Sequence, residues 1–159
     1  MAVTASGLYV QNMIDVFDAT QLGIDTSLTS HKIALLSNTA TPNFDTDVQW
    51  TNTNEVSGTG WLTGGIALSA AAAGSTSVTP TNTVSPTGSW MYDHTNDVSV
   101  ATTTLTNARA ARIYETLLGG AATKALIVLI NFGADYSTSS GTFGIQWAAT
   151  GVFAVDWTP

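Results

Sequence analysis

The chain has no cysteine, so neither disulfides nor thiolate chemistry operate in it. It holds only four Lys or Arg residues (Lys32, Arg109, Arg112 and Lys124), against 11 acids and a net charge of −7. Phosphate neutralisation needs clustered cations, so direct nucleic-acid binding is not expected and a polybasic membrane anchor is excluded. Charged residues of either sign make up just 9% of the 159 residues, where an ordinary domain carries about 25%. The longest apolar run, residues 125–130, is too short to span a bilayer as a helix. Residues 1–7 lack a positive region and Asp15 and Asp18 soon follow, so no secretory leader is expected.

Hydrophobic residues nonetheless reach 44%, which is no disordered composition, and the length suits one domain with a sizeable core. Thr and Ser take the place of charge at about a quarter of the chain. Thr favours strands and Ser favours turns. A surface of Thr, Ser, Asn and Gly is poorly guarded by charge repulsion and suits a protein held against neighbours.

The most informative stretch is Asn54-Glu55-Val56-Ser57-Gly58-Thr59-Gly60-Trp61-Leu62-Thr63-Gly64-Gly65. It invites a reading as a phosphate cradle. Such a cradle must open a helix, and a P-loop continues with Gly-Lys-Ser/Thr. Here the chain runs on into an Ala/Ser/Thr/Pro-rich region, residues 70–88, with no helical period. Gly58, Gly60, Gly64 and Gly65 are therefore expected to shape turns and bulges between short strands.

One helix is expected. Val10, Met13, Ile14 and Phe17 fall at i, i+3, i+4 and i+7, with Ser6 as cap and Leu22-Gly23 as stop. This face packs against the body or against a neighbouring subunit. Residues 32–37, 90–92 and 98–105 read as strands, and residues 125–132 as a central strand covered on both faces. Pro80 and Pro86 favour extended backbone. Residues 109–118 suit either a helix or a strand. Phe143, Ile145, Trp147, Phe153, Val155 and Trp157 all occupy odd positions, the mark of a half-buried strand pair broken near Gly151. The expectation is an all-β chain, an antiparallel β-sandwich or jelly-roll-like domain over residues 26–159, preceded by a helical attachment segment over residues 1–25.

Candidate chemistry is sparse. His31 and His94 sit in no catalytic motif. Asp93-His94-Thr95-Asn96-Asp97 could offer hard oxygen ligands at Asp93 and Asp97 to a weakly held metal, but Asp and Asn there suit a turn better. Asn43-Phe44-Asp45-Thr46-Asp47 is alike. No constellation meets the nucleophile, base and orienter requirement, so no enzyme, cofactor or resident metal is expected. Trp50, Trp61, Trp90 and Tyr92 could stack on sugars, or serve core and interface packing. Arg109 and Arg112, rare cations, are expected to pair with acids or to bridge a subunit contact.

Several pieces, in order, carry a resemblance. They are Lys32-Ile33-Ala34-Leu35-Leu36, the glycine-rich stretch from Glu55, Ala108-Arg109-Ala110-Ala111-Arg112-Ile113-Tyr114, Ile130-Asn131-Phe132-Gly133, Gly141-Thr142-Phe143-Gly144-Ile145-Gln146-Trp147 and Gly151-Val152-Phe153. This ordered set resembles small all-β virion structural proteins of tailed bacteriophages. The resemblance implies a β-sandwich subunit without catalysis, and tips residues 109–114 toward strand. The part of the particle is left open by the resemblance; the expectation is a capsid decoration or minor capsid protein on the outer shell, or else a tail or fibre component. A homo-oligomer bound to other virion proteins, such as a major capsid protein, is the partner expectation. Val10, Met13, Ile14, Phe17, Trp61, Trp90, Arg109 and Arg112 are its candidate interface residues. A carbohydrate-binding module is the alternative from another class.

Overall fold

A computed structural model describes residues 2–17, 30–68, 89–94, 97–116, 124–149 and 151–156. Among them the chain is antiparallel β-sheet with one short helix. The elements are β1 (Gly7–Leu8), α1 (Val10–Phe17), β2 (His31–Ser37), β3 (Glu55–Val56), β4 (Ile66–Ala67), β5 (Ser89–Tyr92), β6 (Val98–Glu115), β7 (Leu126–Ile145) and β8 (Phe153–Asp156). The main sheet runs β1-β7-β6-β2-β3, with β4 also on β2, and β5 pairs with β8 in a second sheet.

Two strands dominate, β6 with 18 residues and β7 with 20, joined as one long ribbon. Residues 109–115 lie in β6, not in a helix. Good intrinsic helix formers yield there because Ala110 and Ala111 are fully buried between β2 and β7. Small side chains on both faces suit a central strand, and tertiary packing overrides propensity.

The ribbon bends because its register slips. Four shifts fall between Val100 and Ala110, and each holds a residue with positive φ: Thr102 (58°), Ser140 (50°), Asn107 (56°) and Gly133 (78°). The largest lies where Ala108 faces Tyr136 but Ala110 faces Asn131, so β7 carries extra residues there. Such bulges turn a strand and raise its twist. Arg109 pins this one, donating from Nε to Asp135 Oδ1 at 2.6 Å and from Nη1 to the Gly133 carbonyl at 2.8 Å.

Alternation along β2 divides the core. Ile33 and Leu35 join Trp61, Ile113, Ile127, Phe143 and Ile145 in one cluster. Ala34 and Leu36 join Val3, Tyr9, Trp50, Tyr114, Leu126 and Leu129 in another. The sheet is thus covered on both faces, which accounts for the unbroken apolar run at the start of β7. Val98 and Ile145 share a cluster with Ile113 and Ile127, so both halves of the bent ribbon feed one core.

Two expectations are corrected. The tail alternation does mark strands, but β7 pairs with β6 while β8 pairs with β5, Trp90 facing Val155. Period two assigns a face and says nothing of the partner. Ser6 does not cap α1: its hydroxyl accepts from Asn131 N at 2.8 Å, and β1 intervenes. The expected helix stop at Leu22-Gly23, the boundary between residues 25 and 26, the Pro80 and Pro86 region, and Trp157 lie outside the described residues. Among the described residues no helix is long and apolar enough to cross a membrane.

Candidate functional site

The glycine-rich segment links β3 to β4, both paired with β2. Gly58 and Trp61 close a tight turn through N–H···O bonds of 2.8 and 3.1 Å, and Thr104 N donates to Thr59 O at 3.1 Å. The segment thereby lies flat on β6. Gly60, Gly64 and Gly65 hold φ of 77°, 86° and 68°. A Cβ at Gly58 would stand 2.2 Å from the Thr104 carbonyl oxygen, and one at Gly65 2.1 Å from that of Ile33. Turn geometry and close approach thus account for the glycines.

An anion cradle does exist here, but the chain fills it. Gly64 N and Gly65 N donate to Glu55 Oε1 at 2.7 and 3.2 Å. Burial raises the Glu55 carboxyl above its ordinary range, and these two amides work against that rise. The Tyr114 hydroxyl donates to the Gly64 carbonyl at 2.6 Å. The loop's product is Trp61, fully buried and edge-on to Phe143 at 5.5 Å. Trp61 therefore packs inside the chain and is not available as a surface contact or sugar platform.

A buried polar cluster lies at the paired ends of β2 and β6, where His31 faces Glu115. His31 Nε2 and Glu115 Oε2 are 2.9 Å apart, both side chains fully buried. His31 Nδ1 meets the Tyr92 hydroxyl at 2.8 Å. Glu115 Oε1 accepts from Thr116 N at 2.7 Å and from the Ser30 hydroxyl. Ser30 thus points at the carboxylate and not at an imidazole. His94, only 4% exposed, packs edge-on against Tyr92. Burial lowers its pKa to about 4, and His31 adds to the drop. Sequence reasoning missed this cluster, since no local motif joins His31 to Glu115; sheet register alone does.

The two acidic stretches serve as turns and ties. Asn43 Oδ1 accepts from Asp45 N, and Asp47 Oδ2 accepts from Asn43 N, each at 3.0 Å. Asp97 Oδ1 accepts from Trp147 N at 2.9 Å. Thr95 and Asn96 lie outside the described residues, among which no three His, Asp or Glu side chains converge as a metal group.

The surface holds the remaining candidates. In α1 it is Asn12 that faces inward, fully buried, its Nδ2 donating to the carbonyls of Val48 (2.9 Å) and Leu126 (2.7 Å). Val10 and Ile14 face outward at 45% and 50% exposure, and Met13 is half-buried. The side chains of Phe17 and Trp90 lie outside the described residues. Arg109 is tied to Asp135; Arg112 is buried over the Tyr9 ring at 5.1 Å, with Asp47 at 3.6 Å. Both cations are thus engaged within the chain. Along β7 the bend opens a groove of about 580 Å³, lined by Phe132, Tyr136, Phe143, Ile145, Gln146 and Trp147 among others. Sequence reasoning did not single out Tyr136 or this groove.

Comparison with known protein families, curated proteins and solved structures gives no match.

Proposed function

We propose that this chain is a non-enzymatic structural subunit of a bacteriophage virion. It is a decoration or minor capsid protein on the outer shell, assembling as a homo-oligomer against a major capsid protein. On this reading the bent ribbon and the β5–β8 sheet are the layers of a β-sandwich or jelly-roll-like subunit. The observation that carries the proposal is the outward stripe of α1. Val10 and Ile14 are half exposed on a helix anchored to the body through Asn12. A firmly held helix that turns apolar side chains to solvent suits an interface whose centre is apolar and uncharged. The net charge of −7 suits a place outside the shell, away from packaged DNA. The polar clusters support a structural role, since Glu55, Glu115 and Asp135 are each bound to groups of the same chain.

Quantitative mass spectrometry of purified virions and of tailless heads tests this. High copy number in both is expected. Presence in intact virions at a few copies, and absence from tailless heads, would sink the capsid reading in favour of a tail component.

A further inference from the structure

The β7 groove owes its shape to the bulges already described. Gly133 and Ser140 bend the strand, so that Ile130 and Phe132 on one side and Phe143 to Trp147 on the other line one concavity. Its floor is apolar, with Phe143 and Ile145 at 6% and 7% exposure. Its wall carries Tyr136, half exposed, whose ring stands edge-on to Phe132 at 6.1 Å and 83°. Phe132 rests in turn on Phe143 at 6.2 Å. Trp147 is held from behind, its ring 5.1 Å from that of His94 and its amide tied to Asp97. The aromatics are therefore positioned before any ligand arrives.

The rim is polar but uncharged: Ser137, Thr138, Thr142 and Gln146. None of the described residues lining the groove is Asp, Glu, Lys, Arg or His, on a chain of net charge −7. The nearby Asp135 is neutralised by Arg109. A charged ligand would lose hydration here without gaining a partner. A neutral ligand with apolar faces and hydroxyl edges matches both surfaces, the faces on aromatic rings and the hydroxyls on Ser, Thr and Gln. The volume of about 580 Å³ falls in the usual range for small-molecule clefts.

We propose that this groove binds an uncharged oligosaccharide, with Tyr136 as stacking platform and Gln146 as hydrogen-bonding group. The inference is independent of a virion location. The aromatics it uses differ from those singled out by sequence, because Trp61 and Tyr92 are fully buried.

The test is calorimetry and tryptophan fluorescence of the full chain with malto-, cello-, manno- and chitohexaose, beside a sialylated and a sulfated glycan and an extended apolar peptide. At least one neutral hexasaccharide should bind saturably. Tyr136→Ala should weaken that binding about tenfold or more, and Gln146→Ala severalfold, with unchanged thermal melts. Leu62→Ala, on a separate loop and 72% exposed, should leave it unchanged. The proposal is overturned by no saturable binding of any neutral glycan up to about 10 mM. It is equally overturned by binding that survives the Tyr136→Ala, Gln146→Ala double variant, or by capture of only the charged glycans or the peptide.

Discussion

Acid should unfold this protein partly through one ring. His94 is 4% exposed and, among the described residues, neither ring nitrogen has a hydrogen-bond partner. Tyr92 and Trp147 pack on it with ring centroids 5.1 Å away in both cases. Burial disfavours the imidazolium first, and His31 second, lowering the pKa from 6.5 to about 4. A folded pKa below the unfolded one means that the unfolded chain binds more protons between them. The stability from keeping His94 neutral is therefore complete above about pH 6.5 and is lost as pH falls toward 4. At about 1.4 kcal/mol per pKa unit, the full loss is roughly 3 kcal/mol, of which about 2 is gone by pH 5. Urea denaturation at pH 8 and pH 5 measures it. His94→Phe keeps a ring and removes the titration, while the carboxylates common to both proteins cancel. The wild type should lose about 2 kcal/mol more than the variant across that interval. Equal losses, or an NMR titration placing His94 near 6.5, would refute the reasoning.

Four further substitutions have expected outcomes. Among the described residues Gly64→Ala meets only the Tyr114 hydroxyl at 3.8 Å, so it should cost the left-handed strain alone, roughly 1–2 kcal/mol; Gly65→Ala, 2.1 Å from the Ile33 oxygen, must open the β2–β4 pairing and should abolish folding, both read from circular dichroism melts. Trp61→Ala should cost about 3–5 kcal/mol by chemical denaturation, because its ring is fully buried against Phe143. Ile14→Glu should shift stability by less than about 0.5 kcal/mol yet abolish incorporation into particles, read as the bound fraction after sedimentation; normal incorporation would count against α1 as the attachment face.

Much of the β character was legible. The alternation at Phe143 and Ile145 places both inside, with Gly144 and Gln146 outside. The apolar run from Leu126 is a strand covered on both faces, and the glycines at 60, 64 and 65 take the positive φ that their spacing suggested. The helix at Val10–Phe17 was visible from its period, but its orientation was not. An apolar stripe is expected to face the core; here Asn12 finds two carbonyls at the sheet edge and takes that place. No spacing rule announces such distant acceptors.

By itself the sequence determined what each short segment can be, because the side-chain period, glycine stereochemistry and scarcity of charge are local properties. It settled an all-β chain whose glycine run has no helix to aim at a phosphate. Tertiary structure decided which strand meets which, since pairing depends on register between residues far apart in the chain. That register set His31 against Glu115 and made residues 109–115, which suit either helix or strand, part of β6. It also bent β7 around an uncharged groove. These are long-range hydrogen-bonding and packing choices, and no local property of the sequence announces them.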